Sequence, residues 1–443
     1  MIASMKLRRR SILGLAGIAP VALATCTTRR AAATDTAPAP PPSGEARWAR
    51  MRGDFLLSRD RIHLASLLIA SNPTPVREAI NRIQASLDED PVTLLEHEFT
   101  TSERTNATLA AAAQYMGVAP DEIALTDSTT SGIAVIYGGM AFQRGDEIVT
   151  TKHDHFVTHE SLRLAADRTG ATVRTVTLYE KGLEARAGAM VKAIESALTP
   201  STRVVAVTWV HSCTGVKIPV RAIADAIAKA NASRGPRERI LLCVDGVHGF
   251  GIEDVSMADL GCDFFIAGCH KWIFGPRGTG LVWGRPEAWE RVVPTACPFH
   301  IGYVFAREYG GPVPKPAAGI MSPGGFRAFE HRWALAEAFK YHLQIGKSDV
   351  QRRIHDLARQ CRAGLASMRH VTLHTPLDAS LASGIVCFEV AGMKPPEVVA
   401  ALLAKGIIGS ATPYLPSYAR LTPSLVNTPE EIERTLAAVR DLA

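Results

Sequence analysis

The sequence lacks the cysteine spacing of a metal site or a disulfide framework. It contains 8 cysteines among 443 residues, and none of them forms a Cys-x-x-Cys pair or follows zinc-finger spacing. Cys243 and Cys387 lie in apolar, strand-like runs, where a buried free thiol is the expected state. We therefore expect no cysteine-held metal, and the spacing indicates no disulfide pairing.

The body of the chain also lacks an excess of charge of either sign. The net charge is +6, and residues 1–30 hold six basic and no acidic residues, so residues 31–443 are neutral overall. A neutral body has no general electrostatic attraction to nucleic acid or to an anionic membrane surface. Because no apolar run of about 18 residues follows residue 45, we expect no membrane-spanning helix there.

The first 45 residues have the pattern of a targeting segment and a linker. Lys6–Arg10 is basic, and Ile12–Ala24 is apolar but too short to span a membrane. The run Arg-Arg-Arg-Ser-Ile-Leu within residues 1–30 resembles a twin-arginine signal, which predicts export to the periplasm. The residues before Cys26 resemble a lipoprotein cleavage box, so a lipid anchor there is a second hypothesis, and a disordered basic tail is the alternative. Residues 31–45 form an Ala/Pro-rich linker.

Helix-like and strand-like segments alternate in the next part of the chain. The composition, 47% hydrophobic and 21% charged, is that of a globular protein. Short apolar runs such as Glu147–Thr150, Val204–Trp209 and Ile240–Val244 are separated by segments with apolar residues three or four positions apart. This pattern predicts an α/β fold whose mostly parallel sheet is covered by helices. We expect this large domain to span residues 46–330.

The pattern changes after residue 330. Glu330–Ile345 and Val350–Met368 have the periodicity of long helices, whereas Ile385–Val390 is strand-like. A last helix begins at Thr428, where Thr-Pro-Glu-Glu supplies a cap, a first-turn proline and a capping-box glutamate. We expect residues 331–443 to form a smaller C-terminal α+β domain.

Two apolar strands end in residues suited to chemistry. Asp245 ends one run, and Lys271 follows a second run soon afterwards along the chain. Ligands of such sheets bind at the carboxyl ends of the strands. A lysine in a partly dry site is a nucleophilic amine, and an aspartate opposite it keeps a pyridine nitrogen protonated. The pair is typical of pyridoxal phosphate sites, and a buried salt bridge is the alternative explanation.

Polar residues at two further strand ends extend this pattern. Three hydroxyl residues, Thr129, Thr130 and Ser131, stand where a helix is predicted to begin. Such residues can bind a phosphate group, and the alternative is that they only cap the helix. After the next strand, His153 or His155 offers an imidazole to stack on a flat ring. A metal site that includes His159 is disfavoured, because alternate residues of an extended segment point in opposite directions and no carboxylate or cysteine completes the ligand set.

With these motifs in this order, the chain resembles the class V aminotransferases, a group of fold-type I pyridoxal-phosphate enzymes, over residues 60–443. The match centres on Cys262–Lys271, followed by Gly278-Thr-Gly. Trp-Val-His-Ser-Cys-Thr-Gly and Gly-Cys-His-Lys-Trp-Ile-Phe-Gly-Pro-Arg-Gly-Thr-Gly resemble the isopenicillin N epimerase-like branch. The resemblance implies pyridoxal 5'-phosphate (PLP) as the cofactor and a small amino-acid-like substrate. It also implies a homodimer with shared active sites, in which Ser322–Glu330 reaches the neighbouring subunit.

The resemblance implies a role for each matching residue. Lys271 would carry the cofactor as a Schiff base and then move the proton of the substrate. Asp245 would bind the pyridine nitrogen, and Arg420 would bind the substrate carboxylate with its planar fork. His153 would stack on the ring, with His155 as the second choice. The other implied cofactor contacts are Thr129, Thr130, Ser131, Ser212, His248 and His270.

The resemblance leaves the reaction open. An epimerase-like or aminotransferase-like reaction begins with removal of the Cα proton; a β-lyase and a non-catalytic binding protein are the alternatives. Epimerisation needs a second acid, for which His211 and His155 are candidates. Desulfurase-like members need a mobile cysteine shortly before the arginine, and Ile407–Ala419 contains none. On this ground we expect that the chain is not a cysteine desulfurase.

Overall fold

The computed structural model describes residues 44–443, so the predicted export signal and the linker up to residue 43 lie outside the described residues. The helices are α1 (Glu45–Arg52), α2 (Thr74–Glu89), α3 (Pro91–Thr101), α4 (Glu103–Met116), α5 (Thr129–Gly139), α6 (Phe156–Thr169), α7 (Ala187–Ala197), α8 (Val220–Asn231), α9 (Met257–Leu260), α10 (Pro286–Trp289), α11 (Ile301–Tyr309), α12 (Ala318–Met321), α13 (Phe329–Ile345), α14 (Lys347–Ala366), α15 (Pro395–Ala404) and α16 (Pro429–Arg440). The strands are β1 (Ile62–His63), β2 (Ile123–Thr126), β3 (Glu147–Thr151), β4 (Thr172–Val176), β5 (Thr202–Thr208), β6 (Leu241–Asp245), β7 (Phe264–Gly268), β8 (Gly280–Gly284), β9 (Val371–Leu373), β10 (Val386–Val390), β11 (Ile407–Ile408), β12 (Ser410–Ala411) and β13 (Ala419–Leu421).

A seven-stranded sheet forms the centre of the fold, in the order β2-β8-β7-β6-β5-β3-β4. Neighbouring strands from β4 to β7 run parallel, whereas β8 is antiparallel to both β7 and β2. Strands β6 and β7 are buried along their whole length, which explains their continuous apolar sequences. The prediction of a mostly parallel sheet covered by helices is confirmed, and β8 is an antiparallel strand that the apolar pattern did not reveal.

A smaller antiparallel sheet, in the order β12-β13-β10-β9, lies in the C-terminal part of the chain. Helices α14 and α16 pack against each other, and α14 covers β9 and β10. Thr428 caps α16 as the capping-box sequence predicts. The Thr428 side chain accepts a hydrogen bond from the Glu431 N–H at 3.2 Å. The smaller α+β unit agrees with the predicted fold class, and the boundary at residue 330 stays a prediction.

The register of the large sheet brings several polar residues to one edge. Thr208 pairs with Asp245 across β5 and β6, and Asp245 pairs with Ile266 of β7. The carboxyl ends of parallel strands meet at the same edge, so the loops after β3, β5, β6 and β7 converge there.

Two further features concern the whole described range. Within residues 44–443, no helix combines the length and the apolar character that a membrane crossing requires. The seven cysteines in this range are free thiols, and Cys243 and Cys387 are buried.

Candidate active site

A cavity of about 120 Å³ opens at the carboxyl edge of the large sheet. It brings together eight of the eleven predicted site residues. Its lining consists of Ser128, Thr129, Thr130, Ile133, His155, Val157, Thr208, Ser212, Asp245, Val247, His248, His270 and Lys271. The three predicted residues outside this lining are Ser131, His153 and Arg420.

Burial in this cavity shifts the pKa values of both Asp245 and Lys271, and their mutual attraction only partly offsets the two shifts. Burial raises the pKa of Asp245 to about 6, although the Val247 N–H and the charge of Lys271 oppose this shift. Burial lowers the pKa of Lys271 to about 8, against the attraction of Asp245. A much larger fraction of Lys271 is therefore neutral near pH 7 than for an exposed lysine, and a neutral amine is a nucleophile.

The first turn of α5 forms one end of the cavity. The Ser128 side chain accepts from the Ser131 N–H at 3.1 Å, and its carbonyl accepts from the Gly132 N–H at 3.1 Å. These bonds leave the N–H groups of Thr129 and Thr130 without an intrahelical partner, as at any helix start. The Ser131 hydroxyl accepts from the Ser128 N–H at 3.0 Å, so this residue stabilises the turn rather than lining the cavity.

His270 and Thr129 meet at the same end. The Thr129 hydroxyl accepts from the Gly268 N–H at 2.8 Å. A Cβ atom at Gly268 would approach within 3.0 Å of both His270 and Thr129, so the close approach depends on glycine. The His270 Nδ1 atom is buried and has no hydrogen-bond partner among residues 44–443. Together with the free N–H groups of α5, these side chains suit an anionic group.

The two histidines after β3 face different surroundings. The His153 ring stacks on Tyr179, with centroids 3.9 Å apart and planes 12° apart, away from the cavity lining. His155 lines the cavity, and burial lowers its pKa to about 4, so its ring is neutral at pH 7. The sequence favoured His153 as the residue that stacks on the cofactor ring, with His155 second. In the structure His155 lines the cavity and His153 does not. Residues 152–154 form a turn rather than an extended strand, and the two rings differ in position because His153 packs against Tyr179.

Asp154, which the sequence analysis passed over, fixes the loop between these histidines. Its carboxylate accepts from the N–H groups of Thr151 and Thr208, both at 2.6 Å, and from the Thr150 hydroxyl at 2.8 Å. The hydrogen bonds of this one buried side chain thereby connect the ends of β3 and β5. A carboxylate directly after a strand, between two histidines, is the sequence signal that could have identified it.

Arg420 lies just behind the cavity wall. It is 3% exposed, and its guanidinium donates to the Ser410 hydroxyl at 3.0 Å and to the Ser212 carbonyl at 2.8 Å. The Ser212 hydroxyl, which lines the cavity, shares a hydrogen bond with the Tyr414 hydroxyl at 2.8 Å. Tyr414 is a second residue that sequence reasoning missed, because 202 residues separate it from its partner.

His248 and His211 are both buried but differ in position. His248 lines the cavity, and its Nδ1 accepts from the Trp272 indole at 3.4 Å. His211 lies outside the lining, where its Nδ1 is 2.7 Å from the Tyr179 hydroxyl. No group of three or more residues able to hold a metal ion occurs within residues 44–443.

The family model described as Aminotransferase class-V matches residues 93–411, which is well over half of the chain. The chain belongs to the class-V aminotransferase family. The predicted family and fold are thereby confirmed, and PLP, the cofactor of this family, is confirmed as the predicted cofactor.

Several relatives of this class-V chain carry different activities in their names. The isopenicillin N epimerase of Streptomyces clavuligerus is 25% identical over 408 residues, which cover 88% of this chain and 97% of the relative. A probable cysteine desulfurase of Xylella fastidiosa is 26% identical over 433 residues, with coverage of 91% and 97%.

Solved structures share the fold of this family member. A lysine mutant of C-DES, with glycine covalently linked to its PLP cofactor, superposes with a TM-score of 0.78 at 22% identity and covers 88% of this chain and 99% of its own. The cysteine desulfurase CsdA of Escherichia coli gives a TM-score of 0.75 at 21% identity, with coverage of 89% and 98%.

The prediction that the chain is not a cysteine desulfurase is wrong, because proteins of that name are among its full-length relatives and structural neighbours. The prediction relied on the absence of cysteine from Ile407–Ala419. A loop in the folded chain is also approached by residues distant in sequence. Here the Cys213 Sγ lies 3.7 Å from the Pro416 carbonyl oxygen, within that same loop.

The residues of the cavity fit PLP. The carboxylate of Asp245 is buried. Within residues 44–443 it accepts one hydrogen bond, from the Val247 N–H at 3.2 Å. The unpartnered His270 Nδ1 and the free N–H groups of Thr129 and Thr130 match a phosphate in hydrogen-bonding chemistry. Lys271 supplies the amine that this cofactor requires.

Proposed function

We propose that the protein is a PLP-dependent enzyme that removes the Cα proton of an amino-acid substrate. The observation that carries this proposal is the placement of Lys271 and Asp245 in one buried cavity, with the pKa of Lys271 lowered to about 8. A binding protein without turnover has no need of a reactive amine in such a site.

Each wall of the cavity would hold a different part of the cofactor. Asp245 would accept the hydrogen bond of the pyridinium nitrogen, and His155 would stack on the ring. Ser212 and His248 would contact the ring hydroxyl, and the phosphate would bind to Thr129, Thr130 and His270. When bound, PLP supplies an electron sink for the negative charge that develops at Cα. Lys271 Nζ then accepts and returns the proton.

Arg420 would orient the substrate by its carboxylate. In Arg420→Lys the charge stays but the planar fork is lost. We expect KM to rise about 10- to 100-fold, with a smaller change in kcat, because a hydrogen bond to a charged group contributes about 1.5–3 kcal/mol. Steady-state kinetics measure this, with Arg362→Lys, a buried arginine outside the cavity, as the control. An unchanged KM would contradict the role of Arg420.

The lowered pKa of Lys271 predicts how fast the apoprotein takes up PLP at each pH. The neutral amine is the attacking form, so the rate of covalent attachment should rise about tenfold per pH unit below the pKa and level off above it. We expect this plateau to begin near pH 8, since the pKa is about 8 rather than 10.5. Stopped-flow absorbance measures the rate; a rise that continues towards pH 10 would mean that the lysine is unperturbed.

Among the reactions that follow Cα deprotonation, we propose an epimerase-like outcome first and an aminotransferase-like outcome second, with β-elimination as the further alternative. The epimerase relative matches this chain over nearly its full length. A screen of amino acids, cysteine included, in deuterated water tests the common step by Cα–H exchange. Chiral analysis then detects inversion, and oxo-acid, ammonia and sulfide assays detect the other outcomes. A protein that binds PLP but exchanges no Cα–H contradicts the proposal.

We also propose that the protein is a homodimer. The rings of Phe99, Phe299 and Phe326 contact one another and are between 47% and 69% exposed, and α11 adds further exposed apolar side chains. Such a patch is typical of a protein interface. Sedimentation velocity should show a dimer for the wild type and a monomer for Phe299→Ser/Phe326→Ser. Leu403→Ser, which changes an exposed apolar residue on α15, is the control.

Export through a twin-arginine signal is a separate proposal, supported by the basic and apolar pattern of residues 1–30. Arg8→Lys/Arg9→Lys should retain the protein in the cytoplasm, whereas the wild type should reach the periplasm. Cell fractionation with immunodetection distinguishes the two. Incorporation of labelled fatty acid that is lost in Cys26→Ser would establish the lipid anchor.

A further inference from the structure

Inversion at Cα requires a proton donor besides Lys271, and neither histidine candidate has the required position and charge. His211 is completely buried, and its side-chain partners, Tyr179 and His153, both lie outside the cavity lining. His155 lies at the cavity, but its Nδ1 accepts from the Val157 N–H at 3.2 Å, so this atom cannot donate. Its pKa of about 4 keeps the ring uncharged at neutral pH, and the remaining Nε2–H of an uncharged imidazole is a weaker acid than a phenol hydroxyl.

Tyr414 does not itself line the cavity, but its two side-chain partners, Ser212 and His155, do. Its hydroxyl is 2.8 Å from the Ser212 hydroxyl, and the carbonyl of the same serine accepts from Arg420 at 2.8 Å. Its ring packs edge-on against His155, with centroids 6.2 Å apart. A substrate held by Arg420 and reaching towards Lys271 would therefore pass Ser212, whose hydroxyl contacts Tyr414.

We propose that Tyr414 is the second proton donor of the active site. Its hydroxyl delivers a proton to Cα from the side of the cavity where Ser212 and His155 lie, while Lys271 takes the original proton. This inference rests on the proposed function, since it assigns the second half of the same reaction. The residue is a catalytic one in this scheme, because its oxygen exchanges a proton with the reacting carbon.

The proton transfers balance without an oxidant or a co-reactant. The Cα–H bond breaks towards Lys271 Nζ, and its electron pair stays with the substrate. The O–H bond of Tyr414 then breaks, and its proton forms the new Cα–H bond. The phenolate recovers a proton from water through the Ser212 hydroxyl, and the Lys271 ammonium releases one to water. Burial raises the pKa of Tyr414, which keeps its hydroxyl protonated before the transfer.

Tyr414→Phe tests the proposal, with Tyr418→Phe as the matched control. Tyr418 belongs to the same loop, but its ring stacks on His374 with centroids 3.7 Å apart, and its hydroxyl has no hydrogen-bond partner among residues 44–443. Each variant and the wild type are incubated in deuterated water with one enantiomer of the amino acid that shows the fastest Cα–H exchange. Mass spectrometry after chiral separation measures deuterium in both enantiomers, and a spectral titration measures amino-acid affinity.

We expect Tyr414→Phe to slow inversion by about 100-fold or more, the usual contribution of a general acid. Exchange with retention and amino-acid affinity should stay within about threefold of the wild type, because Lys271 and Arg420 are intact. Tyr418→Phe should behave like the wild type in all three measurements.

Three results overturn the role of Tyr414 and leave Cα deprotonation standing. In the first, Tyr414→Phe inverts the amino acid at the wild-type rate. In the second, Tyr414→Phe loses inversion and exchange with retention to the same extent. In the third, the wild type exchanges the Cα proton without inverting the amino acid. A wild type that exchanges no amino acid contradicts the proposed function itself, and the role of Tyr414 with it.

Discussion

Lys271→Ala is expected to lower Cα–H exchange by at least about 10⁴-fold, the largest effect of any single substitution, because the same amine holds the cofactor and moves the proton. The variant should also lack the absorbance band at roughly 410–430 nm that a PLP-lysine linkage gives. Exchange of the fastest amino acid, measured beside the spectrum, tests both expectations.

Lys152→Ala is the matched control, because Lys152 is exposed and follows β3 near the same edge of the sheet. It should keep the band and the exchange rate of the wild type. Substantial exchange by Lys271→Ala, in a protein that still binds PLP, would assign the base to another group.

Asp245→Asn should have the second largest effect, a decrease in kcat of about 10²–10³-fold. The amide cannot hold the pyridinium proton as the carboxylate does, so the electron sink weakens while Lys271 still carries PLP. The absorbance band should therefore persist, with a shifted maximum. Spectra and steady-state rates of the holoenzyme measure both parts.

The stability of the apoprotein separates this catalytic effect from a folding defect. Burial raises the pKa of Asp245 to about 6 from 3.8, so the ionised carboxylate is disfavoured in the folded state and its contribution to stability falls as the pH rises through this interval. Asp245→Asn should thus unfold at the same or a higher temperature at pH 7. Asp263→Asn, which changes a buried carboxylate outside the cavity, serves as the control and should keep its kcat. A fall in stability that parallels the fall in kcat would make Asp245 a structural residue.

The parts of the site that could be predicted are those that strand ends determine. Asp245 and Lys271 each follow a continuous apolar run, and parallel strands bring such positions to one edge whatever the loops do. The start of α16 at Thr428 was predictable for a similar reason, because a capping box is a local interaction.

The parts that could not be predicted depend on contacts between distant segments. The choice between His153 and His155 depends on Tyr179, against which one of the two rings packs. The contact of Tyr414 with Ser212 depends on the C-terminal part of the chain approaching the loop after β5, which no local pattern encodes. The exclusion of a cysteine desulfurase was wrong for the same reason, since one loop was considered without its neighbours in space.

The measurement that tests the account most directly is the position at which PLP is attached. The holoenzyme is reduced with borohydride, which makes the PLP-lysine bond permanent, and is then digested and examined by tandem mass spectrometry. The account predicts that the cofactor mass lies on Lys271 alone. Attachment to another lysine, or no attached cofactor after incubation with excess PLP, would contradict it.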